Sequence, residues 1–371
     1  MDSIVRDALS RAERDQPGAS TAKSPPPARG LGAEDAELEK ILSGLRTNIK
    51  IVGVGGGGTN TIDRLVDSGI IGADLYACNT DAQHLLIVRA PHKVLLGRRA
   101  TRGLGAGALP QVGEQAAREA EEDLKLALKG ADMVFLTCGL GGGTGTGGAP
   151  VVAQIAKEAG ALTIAICTWP FSSEGRVRQE NAQYGLDRLR QFADTSIIIP
   201  NDKLLQLVPR LALNQAFKVA DDVLMRAIKG MTEIITKPGL INLDFNDIRT
   251  IMRGGGVAMI GLGDGENETR AEDAVEAAIN SPLIDVDISG ATGALINVTG
   301  GTDMTVSEAE KTAEIVQGRI SSSARIIWGA SIDQTLQHKM RVMLIITGVE
   351  SKQILGRGTA PVRSGELDVV T

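Results

Sequence analysis

Gly139-Leu140-Gly141-Gly142-Gly143-Thr144-Gly145-Thr146-Gly147-Gly148 decides how this chain is read. It lies between an apolar run, Met133–Cys138, and a helical pattern, Val151–Ala159, whose start is predicted at Ala149-Pro150. Glycine lets backbone N–H groups come close to phosphate oxygens, and a helix start adds free N–H donors and the positive end of its dipole. Proline suits that first turn, where its missing N–H costs nothing. Seven glycines in ten residues, kept for packing alone, would carry an entropic cost without return.

A second loop upstream has the same design. Gly53-Val54-Gly55-Gly56-Gly57-Gly58-Thr59-Asn60 follows Ile49–Val52 and precedes a helical stretch, Thr61–Val66. Gly53, Gly55 and Gly58 make a GxGxxG with Asp81 further on, which matches the dinucleotide fingerprint but is weak taken alone. A dinucleotide pyrophosphate needs one such loop; two loops with threonine hydroxyls point to a longer phosphate chain. Neither holds GxxxxGK[ST], which excludes a P-loop nucleotidase.

Around these loops, strand-like runs alternate with helical patterns: Ile49–Val54, Asp74–Cys78, Lys93–Leu96, Met133–Cys138, Leu162–Cys167 and Ser196–Ile199, with helices such as Gln111–Lys129 between them. Continuous Ile/Val/Leu runs mark strands buried on both faces, so an α/β fold with a doubly wound, mostly parallel sheet is predicted, binding its ligand at the carboxyl ends of the strands. A long helix follows over about Leu211–Ile235, with an apolar stripe of Phe217, Ala220, Leu224, Ile228, Met231 and Ile235, and Lys237-Pro238-Gly239 stops it. Four further strands (near Val257–Leu262, Ala294–Val298, Arg325–Gly329 and Val342–Thr347) and two helices (Arg270–Asn280 and Val306–Ile320) predict a second, smaller α/β domain.

The expected layout is a disordered arm over 1–32, a nucleotide-binding domain with a leading helix over 33–210, the connecting helix over 211–236, the second domain over 237–356 and a flexible tail over 357–371. Within the arm, Met1–Asp15 has the spacing of a short helix, whereas Gln16–Gly32 with Pro25-Pro26-Pro27 has too little apolar surface to fold.

Composition narrows the function. The chain has 371 residues, 43% apolar and 23% charged, enough for a sizeable core. With two Trp, two Tyr and five Phe, that core must be aliphatic. Lys and Arg (39) are outnumbered by Asp and Glu (45), which argues against an electrostatic nucleic-acid binder. Cys78, Cys138 and Cys167 make neither a disulfide framework nor a zinc spacing, and His84, His92 and His338 stand isolated, with no sign of catalysis. No apolar stretch reaches membrane-spanning length and no signal-peptide core is present, so a cytoplasmic protein is expected.

Several motifs in register carry a resemblance. Gly141–Gly147, Asn79-Thr80-Asp81-Ala82-Gln83, Gly103-Leu104-Gly105-Ala106-Gly107, Pro170-Phe171 with Glu174-Gly175, Pro200-Asn201-Asp202-Lys203-Leu204, and Asn242-Leu243-Asp244-Phe245-Asn246-Asp247 occur in that family's order. Over roughly Asn48 to Gly348 the chain resembles the tubulin/FtsZ superfamily, in the threonine form of its FtsZ branch. The resemblance implies a GTPase that assembles into filaments organising the cell-division ring.

It also implies roles. GTP or GDP would be held by Gly56, Gly57, Gly58, Thr59 and Asn60 of one loop and by Gly145, Thr146 and Gly147 of the other. Guanine presents N1–H beside its 2-amino group, and the family assigns the accepting carboxylate to Asp222; spacing alone leaves Asp222 as a solvated helix position beside Asp221. Asn60 and Asn201 are expected near the base, Glu174 near the ribose and Arg178 near sugar or phosphate. Without the resemblance, Glu174 and Arg178 are an ordinary i,i+4 pair.

Hydrolysis needs an oriented water and charge stabilisation on the phosphoryl group. Asp244 and Asp247, at the start of a helix over Phe245–Met252, fit the first need, although capping and dipole complementarity give the same pattern. In the family this segment docks on the neighbouring subunit's nucleotide, head to tail, and completes its site. Mg²⁺ would sit mainly on phosphate oxygens, so no protein ligand to metal is named.

The family also implies membrane-tethering and division-regulating partners and concentration at the division site. Thr59 stands where the family often has glycine. A long arm before Asn48 and a short tail after Gly348 look archaeal, and Glu366–Val370 reads equally as a docking peptide or a frayed end. Two other functions remain open: a nucleotide-binding scaffold with little turnover, and an NAD-dependent oxidoreductase using Gly53–Gly58. The latter lacks any hydride-transfer constellation.

Overall fold

The computed structural model describes residues 47–207, 213–236, 239–241, 243–284 and 286–349. The predicted arm, leading helix and tail, the first residues of the long helix, Lys237-Pro238 and Asn242 lie outside the described residues.

Six parallel strands come first: β1 (Ile49–Val54), β2 (Ala73–Asn79), β3 (His92–Leu95), β4 (Met133–Gly139), β5 (Leu162–Trp169) and β6 (Thr195–Pro200), in the order β3-β2-β1-β4-β5-β6. Strand side chains alternate between faces. Ile49 and Ile51 therefore join Met133, Phe135, Ile164 and Ile166 on one side, while Val52 and Val54 join Leu136 and Cys138 on the other. Helices cover both faces. Long helix α8 (Leu213–Thr236) lays Ala220, Leu224, Ile228 and Met231 on the first; α3 (Pro110–Glu119) and α5 (Thr144–Glu158) cover the second with Ala116, Ala117, Val151, Val152 and Ile155. That double covering is why β1 is buried at every position, polar Lys50 included.

The second group of strands does not form a separate sheet. β7 (Gly256–Glu266) pairs in parallel with β6 at Thr195–Gly256, Ser196–Val257 and Ile197–Ala258. β10 (Lys339–Thr347) then lies antiparallel between β7 and β8 (Gly293–Gly300), and β9 (Arg325–Ile332) closes the edge beside β8. All ten strands thus make one sheet, with a three-pair ladder joining its halves.

Three helices differ from expectation. The stretch predicted as one helix over Gln111–Lys129 is two, α3 and α4 (Glu121–Leu128), parted at Ala120. Glu121, Glu122 and Asp123 open the second, where three acids suit a new N-terminus. Helix α1 runs Gly55–Asp67, and α5 starts at Thr144. Both begin about a turn or more before their predicted starts, so each glycine stretch is largely the opening of a helix. Pro150 consequently sits inside α5 rather than in its first turn. Its missing N–H withdraws an intrahelical donor from Thr146, and α6 (Arg176–Leu189) crosses there at Gly185, where an added Cβ would come within 2.5 Å of Thr146 Cγ2.

Candidate active site

A cleft of about 420 Å³ opens at the carboxyl ends of β1, β4, β5 and β6, where the strand order turns from descending to ascending. This is the position at which doubly wound sheets bind ligands. Gly56 and Gly57 of α1 and Gly142, Gly143, Thr144 and Gly145 around the start of α5 form its floor. First-turn N–H groups have no intrahelical acceptor, so the two helix ends together offer donors and positive dipole ends to one anion.

The glycines divide their duties. A Cβ on Gly53 would overlap the Gly58 carbonyl, one on Gly58 the Thr137 carbonyl, and one on Gly147 the Pro110 carbonyl. On Gly145 it would come within 2.6 Å of the Gly139 carbonyl. These positions are glycine because backbones cross there. Gly56 and Gly142 face open space on the cleft floor instead, and no backbone contact accounts for glycine there. Packing, discounted from the sequence, accounts for much of the glycine content.

The walls are polar and braced. The Glu174 carboxylate accepts from the Phe171 N–H at 2.9 Å and lies 3.3 Å from Arg178. Asp202 accepts from the Ser172 N–H at 3.0 Å, tying this turn to the start of α7 (Asn201–Leu207). Gln179 accepts from the Trp169 indole at 2.6 Å and donates to the Pro170 carbonyl at 3.0 Å. Asn201 is buried, and its Oδ1 has no hydrogen-bond partner. A buried acceptor left unpaired at a cleft wall fits a ligand donor. Phe217, set edge-on to Phe171 with ring centroids 5.1 Å apart, and Ala220 give one apolar side suited to a planar base. Phe217 is therefore not part of the helix's core stripe; it is exposed and turned to the cleft.

Asp221 lines this cleft and Asp222 does not. Asp222 points away and accepts from Arg226 Nε at 2.7 Å, an exposed i,i+4 pair. The residue facing the cleft is thus one position before the expected Asp222, about 100° around the helix. Asp221 lies four positions after Phe217, one turn along the same face. Burial pushes its carboxyl up to about 6, against the pull of Arg64.

Of the other expected ligands, Gly56, Gly57, Asn60, Gly145, Glu174, Arg178 and Asn201 line the cleft. Gly58, Thr59, Thr146 and Gly147 do not. The Thr59 hydroxyl donates back to the Gly55 carbonyl at 2.9 Å, and Thr146 Oγ1 accepts from the Gly141 N–H at 2.9 Å, so both hydroxyls fasten the glycine turns rather than face the cleft. Gly107, Gly139, Leu140, Thr168 and Pro170 also line the cleft; all but Thr168 fall in the quoted motifs, yet only tertiary packing brings them together.

Asp244 and Asp247 stand apart from this cleft. Asp244 caps α9 (Phe245–Met252), its Oδ1 accepting from the Asn246 N–H at 2.9 Å, and Asp247 lies in the first turn. Both are exposed. Among the described residues, no cluster of three or more His, Cys, Asp or Glu is placed to hold a metal ion, and no helix is long and apolar enough to cross a membrane.

This architecture, with helix N-termini converging on one cleft beside a half-buried carboxylate, is that of a tubulin-type GTPase, and residues 48–209 match the model of the Tubulin/FtsZ family, GTPase domain. Residues 256–350 match the FtsZ family, C-terminal domain. The chain belongs to the FtsZ family. It is similar to cell division protein FtsZ 1 of Archaeoglobus fulgidus, 58% identical over 98% of this chain and 97% of that protein. It is also similar to cell division protein FtsZ 1 of Halobacterium salinarum, 55% identical over 97% of this chain and 92% of that one. Among solved structures, an empty FtsZ dimer of M. jannaschii superposes with a TM-score of 0.82 at 54% identity, covering 86% of this chain and 93% of that one.

Proposed function

We propose that this chain is a self-assembling GTPase of cell division whose hydrolytic site is completed by the next subunit of a head-to-tail filament. The observation that carries the reading is the convergence of the α1 and α5 N-termini on a cleft whose far wall holds the half-buried carboxylate of Asp221. The main-chain amides bind the phosphates. Asp221 accepts N1–H and the 2-amino group of guanine, which adenine cannot supply together, and Asn201 Oδ1 takes a further donor. Phe217 packs on the base, and Glu174 and Arg178 lie beside the sugar and phosphates.

Among the described residues, the cleft's two carboxylates, Glu174 and Asp221, are each engaged by an arginine, which leaves neither free to orient the attacking water. Asp244 and Asp247 lie exposed elsewhere on the surface, available to a neighbour's γ-phosphate. Their exposure supports the shared site. Among the cleft's carboxylates, Glu174 is held by Arg178 and Asp221 by Arg64, so Mg²⁺ would take its ligands from phosphate and water. When bound, the ion neutralises phosphate charge. Membrane-tethering and division-regulating proteins are the remaining partners, and the division site is where the filaments gather.

The test is phosphate release measured against protein concentration, with pelleting of the same samples. A specific rate that rises as sedimentable polymer appears is expected. Full turnover in a dilute, strictly monomeric sample overturns the shared site, and negligible release in concentrated polymer with Mg²⁺ favours a scaffold.

A further inference from the structure

His84 occupies the middle of a hydrogen-bond chain whose direction is set by a main-chain amide. The Asp81 N–H donates to Asn79 Oδ1 at 3.3 Å. That orients the Asn79 amide so that its Nδ2 faces His84 Nδ1 at 3.1 Å. The Thr59 hydroxyl lies 3.1 Å from the same nitrogen. An amide NH₂ only donates, so Nδ1 accepts and the ring proton resides on Nε2. Nε2 is 3.0 Å from Asn60 Oδ1 and donates to it. The Asn60 oxygen is thereby occupied, and its NH₂ group remains for the cleft that Asn60 lines.

We propose that His84 is a positioning residue for nucleotide recognition: it holds the exposed Asn60 amide with its NH₂ presented as a donor to the nucleoside of bound GTP. The proposal rests on the reading of the cleft as the GTP site. Asn60 is solvent-exposed, so without a partner its amide would turn freely and present oxygen as readily as nitrogen. Holding it in the binding orientation before the ligand arrives removes that ordering cost from association. His84 needs both ring nitrogens for this, one to read the Asn79 donor and one to pass a donor on.

The experiment is calorimetric titration of GDP into the full chain and its variants. His84→Ala removes the chain. His84→Asn keeps an amide beside Asn79 and Thr59 but falls short of Asn60, and His84→Gln places an NH₂ where Nε2 stands. GDP binding is expected to weaken about tenfold in H84A and H84N, as for one lost hydrogen bond, and to return close to wild type in H84Q. Asn60→Ala should weaken binding alone, and H84A/N60A should bind no more weakly than N60A. Wild-type affinity in both H84A and H84N, H84Q as weak as H84A, or losses that multiply in the double variant would overturn the proposal. Wild-type affinity in N60A overturns the placing of Asn60 at the nucleotide and the relay with it, whereas a weak N60A with unaffected His84 variants sinks the relay alone.

Discussion

Arg64 Nε, on α1, lies 3.5 Å from the Asp221 carboxylate on α8, so the helix whose N-terminus opens on the cleft also braces the carboxylate at its other end. Carboxylate hydrogen bonds to charged or polar partners contribute about 1.5–3 kcal/mol each. Asp221→Ala is therefore expected to weaken GDP binding by roughly a hundredfold or more. Asp222→Ala, which removes only an exposed pair, should leave it near wild type. Titration of both variants with GDP separates the two; equal losses would return the role to Asp222.

Asp221 also makes the nucleotide-free protein pH-dependent. Its carboxyl is pushed from 3.8 up to about 6 by burial, with Arg64 opposing. The folded chain thus holds this proton more tightly than the unfolded one. The stability it contributes is complete below about pH 4 and is lost as pH rises through about 6. Melts of wild type and Asp221→Asn across that window should show wild type losing up to about 3 kcal/mol relative to the variant. A constant difference would mean the group is not shifted. GDP binding should run the other way, strengthening as the carboxylate ionises.

Two glycine-to-alanine changes should fail for different reasons. A Cβ at Gly147 overlaps the Pro110 carbonyl, so Gly147→Ala is expected to destabilise by about 3 kcal/mol or to prevent folding. A Cβ at Gly142 meets nothing, so Gly142→Ala should melt close to wild type while its methyl intrudes on the phosphate floor and weakens GDP binding. Thermal melts with GDP titration check the pair.

Asp244→Ala and Asp247→Ala should bind GDP as wild type and turn over GTP at least about a hundredfold more slowly in polymer. Asp244→Ala should also lose about 1 kcal/mol of stability, because it removes the cap on Asn246 N–H, whereas Asp247→Ala should not. Phosphate release at wild-type rate in either variant would remove that acid from the mechanism.

Far from the cleft, buried Arg270 donates to Asp303 at 2.6 Å and to Glu308 at 2.7 Å, and its guanidinium holds the Glu308 carboxyl down to about 2. Stability from Glu308 is present above about pH 4.5 and is lost as pH falls towards 2. Arg270→Met should cost about 2 kcal/mol at neutral pH, the acids being partly solvated, and the deficit should shrink on acidification. Denaturant melts at several pH values measure it.

The central strands were plain in the sequence because burial on both faces leaves uninterrupted aliphatic runs, and β1 has the predicted limits, Ile49–Val54. Helix starts were not. Gly55 to Gly58 and Thr144 to Gly148 have poor helix propensity, and the crossing of α1, α3 and α5 at bare backbone overrides it. Continuity of the sheet through β6 and β7 is a non-local pairing that no local pattern announces. Asp221 and Asp222 both fall off the buried stripe of α8, so periodicity left them equivalent until Phe217 was seen to face the cleft. Asn201 gave its position through a motif, but the unpaired Oδ1 is a property of packing alone.

Cys78, Cys138 and Cys167 are all sealed in strands. Cys138 and Cys167 lie sulfur to sulfur at 3.4 Å on neighbouring strands; that contact, with burial, holds the Cys138 thiol above its usual range, and burial alone pushes Cys78 up to about 12. Maleimides react with exposed thiolates, and the folded chain offers them none. A single engineered cysteine on the exposed surface, away from Asp244 and Asp247, would therefore take a fluorophore without first stripping the native thiols. Filament growth can then be watched by microscopy in a chain whose nucleotide cleft has been left untouched.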